Sequence, residues 1–176
     1  PMAAIVDEAR TRVRGRGAPM ILVTVGTQLP FDRLVMTVDR WLADHPDEQA
    51  VAQIASGKKP EHMESVDFLT PARYEELAEQ TQLMVAHAGT GSIFTATHFG
   101  MRLIMMPRRA SLGEHRNEHQ LATAKHFTRF RGIHVAQDED VLTDMLNRWQ
   151  DLEPAQSAAP ASPSLIDRIG SFIRRV

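Results

Sequence analysis

The chain has 176 residues, of which 43% are apolar and 24% charged, with a formal net charge of −2 at pH 7. This size and composition fit one globular domain with short additions at its ends, and the slightly acidic balance argues against a nucleic-acid binder. The sequence contains no cysteine, which excludes disulfides and thiolate metal sites. Apolar runs are shorter than the ~20 residues of a membrane-spanning helix, and the first residues lack the pattern of a signal peptide. We therefore expect a soluble, cytoplasmic protein.

Short apolar runs alternate with helical patterns from residue 20 onward, which is typical of a parallel sheet built from βαβ units. Strands are predicted at residues 20–26, 49–55, 65–69, 83–88, 102–107 and 132–136. Helices are predicted between and after them at residues 31–44, 71–80, 90–99, 114–130 and 138–149. Because most of the strand runs are apolar throughout, both faces of the sheet should be covered. The pattern predicts an α/β, Rossmann-like fold in which helices flank a parallel sheet.

The two ends of the chain differ in composition from this predicted domain at residues 20–150. Residues 1–19 carry four arginines between positions 10 and 16 and predict either a basic arm or a poorly ordered terminus. Residues 151–163 are rich in Pro, Ala and Ser and predict a linker. Residues 164–176 predict an amphipathic helix, whose apolar stripe packs on the core, on a partner subunit or on an anionic lipid surface.

The sequence Met-Val-Ala-His-Ala-Gly-Thr-Gly-Ser at residues 84–92 leads from a predicted strand through a glycine turn into a helix. Gly89 and Gly91 let the backbone approach a ligand closely, and Thr90 and Ser92 offer hydroxyl groups. A helix that starts near Thr90 directs unpaired N–H groups and a partial positive charge at an anion. This segment favours a diphosphate site, although the same pattern occurs where an α/β protein only connects a strand to a helix and binds no ligand.

A second polar segment, residues 113–120, follows the next predicted strand. Its neutral side chains, which suit sugar hydroxyls, are Asn117, His119 and Gln120, and its carboxylate is Glu114. The cations in and near the segment, which suit a phosphate or a carboxylate of the ligand, are Arg108, Arg109 and Arg116. Ligands of open α/β sheets bind outside the carboxyl ends of the strands, where both segments are predicted to lie. Together the two segments favour a nucleotide-sugar site.

Other interpretations of the same residues are weaker. The string at residues 115–119 matches the H-x-x-E-H pattern of one metallopeptidase class, but it needs a third ligand from elsewhere and has cationic neighbours. The turn at Gly89 resembles the start of a dinucleotide fingerprint, but the third glycine of that fingerprint would fall at Phe94. His87 is either a catalytic group or a structural group that fixes the loop after it.

Residues 23–34, 87–92 and 107–124 resemble the C-terminal, donor-binding domain of family 28 glycosyltransferases. The closest likeness is to the soluble subunit of bacterial two-component exopolysaccharide glycosyltransferases. Beyond these, the chain is similar to the soluble subunit of the eukaryotic two-part UDP-GlcNAc transferase of dolichol-linked oligosaccharide synthesis. The resemblance covers about residues 20–140 and implies the C-terminal half of a GT-B enzyme.

The resemblance also implies roles for individual residues. Uracil is covered by Phe68 and Leu69, and donor sugar hydroxyls are held by His119 and Gln120. The diphosphate binds the turn formed by Gly89, Thr90, Gly91 and Ser92. The first glycine loop, at Gly26 and Thr27, faces the cleft between two domains. Many relatives carry an acidic ribose-binding residue at the position that Thr95 occupies here, so ribose recognition should be weaker or supplied otherwise.

The implied activity is inverting transfer from a UDP-sugar to a lipid-linked acceptor held by a membrane-anchored partner subunit. We expect no metal or other cofactor, with the general base in the partner and His87 and Glu114 as weaker local candidates. The arginines favour glucuronate as the sugar, with galactose and N-acetylglucosamine as alternatives. The chain would be cytoplasmic and peripheral to the inner membrane through its partner. The alternative is a non-catalytic accessory subunit that stimulates a membrane-bound transferase.

Overall fold

The computed structural model describes residues 20–128 and 130–156, which contain a six-stranded parallel sheet. The strands are β1 (Met20–Thr24), β2 (Gln49–Gln53), β3 (Glu64–Val66), β4 (Thr81–His87), β5 (Arg102–Met106) and β6 (Ile133–Val135). Their order across the sheet is β3-β2-β1-β4-β5-β6. Strands β2 and β3 therefore extend the sheet on one side of β1, and β4 to β6 extend it on the other side. A crevice opens at the carboxyl ends of β1 and β4, where this reversal occurs.

Within the described residues, five α-helices cover the two faces of the sheet. They are α1 (Asp32–Ala43), α2 (Pro71–Gln80), α3 (Thr90–Phe99), α4 (His119–Phe127) and α5 (Glu139–Asn147), with short 3₁₀ turns at Ala110–Leu112 and Trp149–Asp151. Strand β1 is buried along its whole length. Ile21 and Val23 pack in the cluster that contains residues of α1 and α5, whereas Met20 and Leu22 face the cluster that contains residues of α2, α3 and α4. This explains why the strand sequence is apolar without alternation.

Local sequence signals fix where several helices begin and end. Helix α2 begins with Pro71 directly after Thr70, whose hydroxyl accepts a hydrogen bond from the backbone N–H of Arg73. Helix α5 begins after Asp138, whose carboxylate accepts from the N–H of Val141. These side chains satisfy N–H groups that the first helical turn leaves without partners. Helix α3 ends at Gly100, which takes the left-handed conformation at φ +64°.

The predicted α/β, Rossmann-like fold is confirmed, but one helix is shorter than predicted at both ends. The helix predicted at residues 114–130 begins only at His119 and ends at Phe127. Residues 113–118 form a loop instead, because Gly113 takes φ +71° and the carboxylate of Glu114 is held by Arg33 of α1. The strand predicted at residues 65–69 is also shorter, ending at Val66. Asn117 therefore precedes α4 rather than lying within it.

Residues 151–156, the start of the predicted linker, pack against the sheet. Leu152 and Ala155 are buried, and the N–H of Ala155 donates to the carbonyl oxygen of Met101 at 2.9 Å. The guanidinium of Arg102 donates to the carbonyl oxygens of Gln150 and Leu152. The folded domain therefore extends to at least residue 156. The predicted arm at residues 1–19, the rest of the linker and the predicted helix at 164–176 lie outside the described residues.

We predict that Gly132→Ala strongly destabilises the fold through this segment. Gly132 has φ +76°, and a Cβ atom there would lie 2.0 Å from the carbonyl oxygen of Pro154. The substitution should lower the free energy of unfolding in urea by about 2–4 kcal/mol, since backbone atoms must move. The matched control is Gly100→Ala, at φ +64° with no described atom within 4 Å of its Cβ; it should cost only about 1 kcal/mol. Equal losses would contradict the packing of residues 152–156.

Candidate functional site

A cleft of about 470 Å³ lies at the point where the strand order reverses. Its walls come from residues 25–29 after β1, residues 87–91 after β4, Arg108 and His115 after β5, and the first turns of α4. The volume is within the range of small-molecule sites, and the position is where open α/β sheets bind ligands. The cleft therefore brings together the two segments that the sequence analysis singled out.

The N-terminus of α3 opens into this cleft. Gly89 is the residue before the helix, and no side-chain cap bonds to the first helical turn. A Cβ atom on Gly91 would meet no described protein atom within 4 Å. Thr90 and Gly91 line the cleft, whereas Ser92 is buried behind it. The turn can thus present backbone N–H groups to an anion at close range.

The imidazole of His87 is packed between the two glycine turns that follow β1 and β4. A Cβ atom on Gly26 would lie 2.7 Å from its Cε1 atom, and one on Gly89 would lie 2.4 Å from its Nε2 atom. Gly26 also has φ +79°. Both positions therefore require glycine for a reason that the sequence analysis did not identify, namely the volume of His87 itself.

Burial lowers the pKa of His87 to about 4, and the positive charge of Arg108 adds to this effect. A hydrogen bond from the imidazole to the backbone of Thr24 raises the pKa and opposes this shift only partly. The imidazole is therefore neutral at pH 7 and has a low affinity for protons. This is a poor property for a general base, so His87 fits the structural interpretation of the sequence better than the catalytic one.

Arg108 is buried, with 3% of its surface exposed, and it holds the loop after β1. Its Nη2 atom donates to the carbonyl oxygens of Val25 at 2.9 Å, Leu29 and Pro30. Its backbone N–H donates to Oε1 of Gln120 at 3.1 Å. Burial lowers the pKa of Arg108 to about 10, which still leaves it charged at pH 7. The side chain adds positive potential to the cleft while its hydrogen bonds go to the protein.

Glu114, a candidate base in the sequence analysis, is engaged in an ion pair outside the cleft lining. Its Oε1 atom accepts from Nε of Arg33 at 2.6 Å, and its Oε2 atom accepts from Nη2 of Arg33 and from the backbone N–H of Arg109, each at 2.8 Å. The hydrogen bond to Glu114 is the main reason why the pKa of Arg33 is raised. Both oxygens therefore fasten the loop after β5 to α1.

His119 and Gln120 begin α4 and face the cleft. Gln120 is buried and bonded to the backbone of Arg108. The Nδ1 atom of His119 is hydrogen-bonded to Oδ1 of Asn117, and the ring of His115 packs edge-on against that of His119 with centroids 4.4 Å apart. These contacts fix a polar wall opposite the N-terminus of α3.

The structure separates the predicted site residues into two sets. Those that line the cleft are Gly26, Thr27, His87, Gly89, Thr90, Gly91, His119 and Gln120. Those that lie outside its lining are Phe68, Leu69, Ser92, Arg109, Glu114, Arg116 and Asn117. The side chain of Arg109 donates to the carbonyl oxygen of Gln137, and Phe68 is 59% exposed on the loop between β3 and α2. Their assignments as donor contacts stay predictions.

The sequence analysis missed Gln53 and Arg33. Gln53 ends β2 and is buried, and its side chain bonds to Gly26 and Leu69 on two different loops. A polar residue at the end of an otherwise buried strand was the available signal. Arg33 lies on α1, and its role depends on Glu114, 81 residues later in the chain. No local pattern marks that pair.

Two further features of the described residues bear on the chemistry. Within residues 20–128 and 130–156, no group of three His, Cys, Asp or Glu side chains is placed to hold a metal ion. The helices in the same part of the chain are all too short or too polar to cross a bilayer.

A family model, the glycosyltransferase family 28 C-terminal domain, matches residues 20–146. The chain belongs to this family. The match includes β1 to β6 and every residue that lines the cleft. The domain is thus a donor-binding domain of the family 28 type, and its sheet is that of the C-terminal half of GT-B glycosyltransferases. No curated protein sequence matches the chain.

Several solved structures share the fold. The glycotransferase of kitacinnamycin superposes with a TM-score of 0.59 at 20% identity, over 92% of this chain and 40% of that one. Os79 from O. sativa, solved in complex with UDP, gives 0.58 at 14% identity, over 81% and 34%. ALG13 gives 0.56 at 19% identity, over 84% and 92%. The chain thus spans well under half the length of the first two, and these identities establish the fold alone.

We predict that His87 makes the fold sensitive to acid. Because its pKa falls from 6.5 to about 4 on folding, the unfolded chain binds a proton that the folded chain does not between these two pH values. The stabilisation is present above pH 6.5 and is lost as the pH falls towards 4, by at most about 1.4 kcal/mol per pH unit.

Urea titrations at pH 7, 6, 5 and 4.5 measure this loss. His87→Gln should give a shallower fall in unfolding free energy than the wild type, by about 1 kcal/mol per unit. The matched control His98→Gln replaces an exposed histidine and should keep the wild-type slope. An unchanged slope in His87→Gln would show that the imidazole is not buried as described.

Proposed function

We propose that this chain is the donor-binding subunit of a two-component, inverting glycosyltransferase of exopolysaccharide synthesis. It would bind a UDP-sugar, and a membrane-anchored partner subunit would bind a lipid-linked acceptor. The chain would act in the cytoplasm, peripheral to the inner membrane through that partner. The observation that carries the proposal is one cleft with an uncapped helix N-terminus on one wall and His119 and Gln120 on the opposite wall.

The diphosphate would bind at the N-terminus of α3. Backbone N–H groups there have no capping side chain, and the space beside Gly91 is open. The hydroxyl of Thr90 adds a donor, and the charged Arg108 behind the loop adds positive potential. These groups would neutralise the charge that develops on the departing UDP without a metal ion.

The sugar would lie against His119 and Gln120, whose positions are fixed by Asn117 and Arg108. The sequence favours glucuronate because three arginines suit a carboxylate. However, Arg108 and Arg109 donate to backbone carbonyl oxygens, so they no longer distinguish the sugars. We therefore propose glucuronate, galactose and N-acetylglucosamine as equal candidates for the donor sugar.

The reaction would be attack of an acceptor hydroxyl on the anomeric carbon. A carbon–oxygen bond to the acceptor forms, the bond from the anomeric carbon to the diphosphate oxygen breaks, and the hydroxyl proton passes to a general base. His87 has a pKa of about 4 and Glu114 is paired with Arg33. Because both local candidates are engaged in holding loops, we propose that the partner supplies the base.

We predict that the chain alone binds UDP and that Gly91→Val abolishes this binding. A valine Cβ at this position meets no described protein atom, so its branched side chain would occupy the space of the diphosphate without disturbing the fold. Isothermal titration calorimetry should give heat for the wild type, a weaker signal for Gly91→Ala and none for Gly91→Val. The melting temperature of all three should agree within a few degrees.

Thr97→Val, on the same helix and away from the cleft, is the matched control and should bind UDP as the wild type does. If the folded wild-type chain gives no heat with millimolar UDP, the donor-site proposal is wrong. A chain that binds no UDP and yet stimulates a membrane transferase would instead be an accessory subunit.

We also predict that sugar transfer needs the partner. The purified chain should release no UDP from UDP-glucuronate, UDP-galactose or UDP-N-acetylglucosamine in the presence of a lipid-linked acceptor. Addition of membranes that contain the acceptor-binding subunit should start UDP release with one of the three donors. Membranes without that subunit are the control. Transfer by the chain alone would contradict the two-component proposal.

A further inference from the structure

Gln53 joins two loops through a single buried amide. It is the last residue of β2 and is 5% exposed. Its Nε2 atom donates to the carbonyl oxygen of Gly26 at 2.9 Å, and its Oε1 atom accepts from the backbone N–H of Leu69 at 2.9 Å. The two ends of the amide therefore bond to the loop after β1 and to the loop between β3 and α2.

These two loops contribute to different parts of the proposed donor site. Gly26 lines the cleft beside the imidazole of His87. Leu69 is adjacent to the exposed Phe68 and lies outside the cleft lining. Because the amide is planar and its two bonds have ordinary lengths, the loop that carries Phe68 and Leu69 is held at a fixed distance from the cleft.

The sheet itself does not need this amide to keep its strands together. The backbone of Val25 already donates to the carbonyl oxygen of Gln53, and the N–H groups of Ile54 and Ala55 donate to the carbonyl oxygens of Val66 and Asp67. An apolar residue of the same length would fill the same space. What the amide adds is the link between the loops beyond the strand ends.

We propose that Gln53 is a positioning residue for nucleobase recognition. It sets the place of Phe68 and Leu69 relative to the glycine turns, so that a base and a diphosphate of one nucleotide are bound together. This inference rests on the proposed function and on the role in covering uracil that the family resemblance implies for Phe68 and Leu69. Gln53 acts through Leu69 and Gly26 and does not itself touch the nucleotide in this assignment.

The test compares UDP with inorganic diphosphate, which lacks the base. In Gln53→Met, which keeps the length of the side chain but makes neither bond, UDP binding should weaken by about tenfold, the order of one lost hydrogen bond. Binding of inorganic diphosphate should stay within twofold. Gln53→Glu keeps an acceptor for Leu69 but cannot donate to Gly26 and adds a buried charge, so it should not restore the UDP affinity. Calorimetry or competition against UDP measures both ligands.

Gln49, at the exposed start of the same strand, provides matched controls. Gln49→Met and Gln49→Glu should leave both affinities unchanged. Circular dichroism and the melting temperature report folding of each variant. If Gln53→Met does not fold, Gln53→Asn takes its place, since its shorter amide cannot reach both partners, and the same selective loss of UDP affinity is expected.

Two results would overturn the inference while leaving the proposed function intact. In one, a folded Gln53 variant binds UDP as the wild type does; in the other, UDP and diphosphate weaken equally, which would make Gln53 a support of the whole cleft. If the wild-type chain binds UDP no more tightly than inorganic diphosphate, it does not recognise the base and the inference is wrong. If the wild type binds neither ligand, the proposed function itself is wrong and this inference falls with it.

Discussion

The site depends on a neutral imidazole that fills the space between two glycine turns. His87 ends β4, and its ring contacts the backbone at both Gly26 and Gly89, so the loops after β1 and β4 pack on the same side chain. The two strands are neighbours because the sheet is built outward from this point in both directions. A charged ring there would be buried and would lie beside Arg108, and these two costs, burial first, lower the pKa of His87. The turn before α3 is positioned by packing as much as by hydrogen bonds.

Around this centre, charged side chains hold loops. Arg108 fastens the loop after β1 and Arg33 fastens the loop after β5, and their guanidinium groups lie 5.0 and 5.3 Å from the ring centroid of the buried Phe31. Like charges repel, but each cation is bonded to oxygen atoms and attracted by the aromatic ring. Glu114 compensates part of the charge. The surface left for a ligand is therefore mostly backbone and neutral side chains.

The parts of this arrangement that the sequence predicted are those with local causes. The apolar run of β1, the glycine turn before α3 and the proline at the start of α2 each depend on neighbours in the chain, and the structure has them at the expected places. The helix start predicted at residue 114 is wrong because the side chain of Glu114 binds Arg33, which lies 81 residues earlier in the chain. The two hydrogen bonds of the Gln53 side chain likewise join loops that are distant in sequence. Tertiary contacts of this kind leave no periodic signal.

The irregular segment at residues 113–118 gives the two walls of the cleft different dynamics. The wall at α3 follows directly from the central strand β4, whose hydrogen-bonded amides should exchange only when the sheet itself opens. The other wall consists of the start of α4 and His115 of the six-residue loop before it. This loop is tied to α1 by one ion pair and to α4 by contacts with His119. It should open on its own, many times for each global unfolding event. A ligand in the cleft would therefore meet one wall that keeps its place and another that can adjust to it.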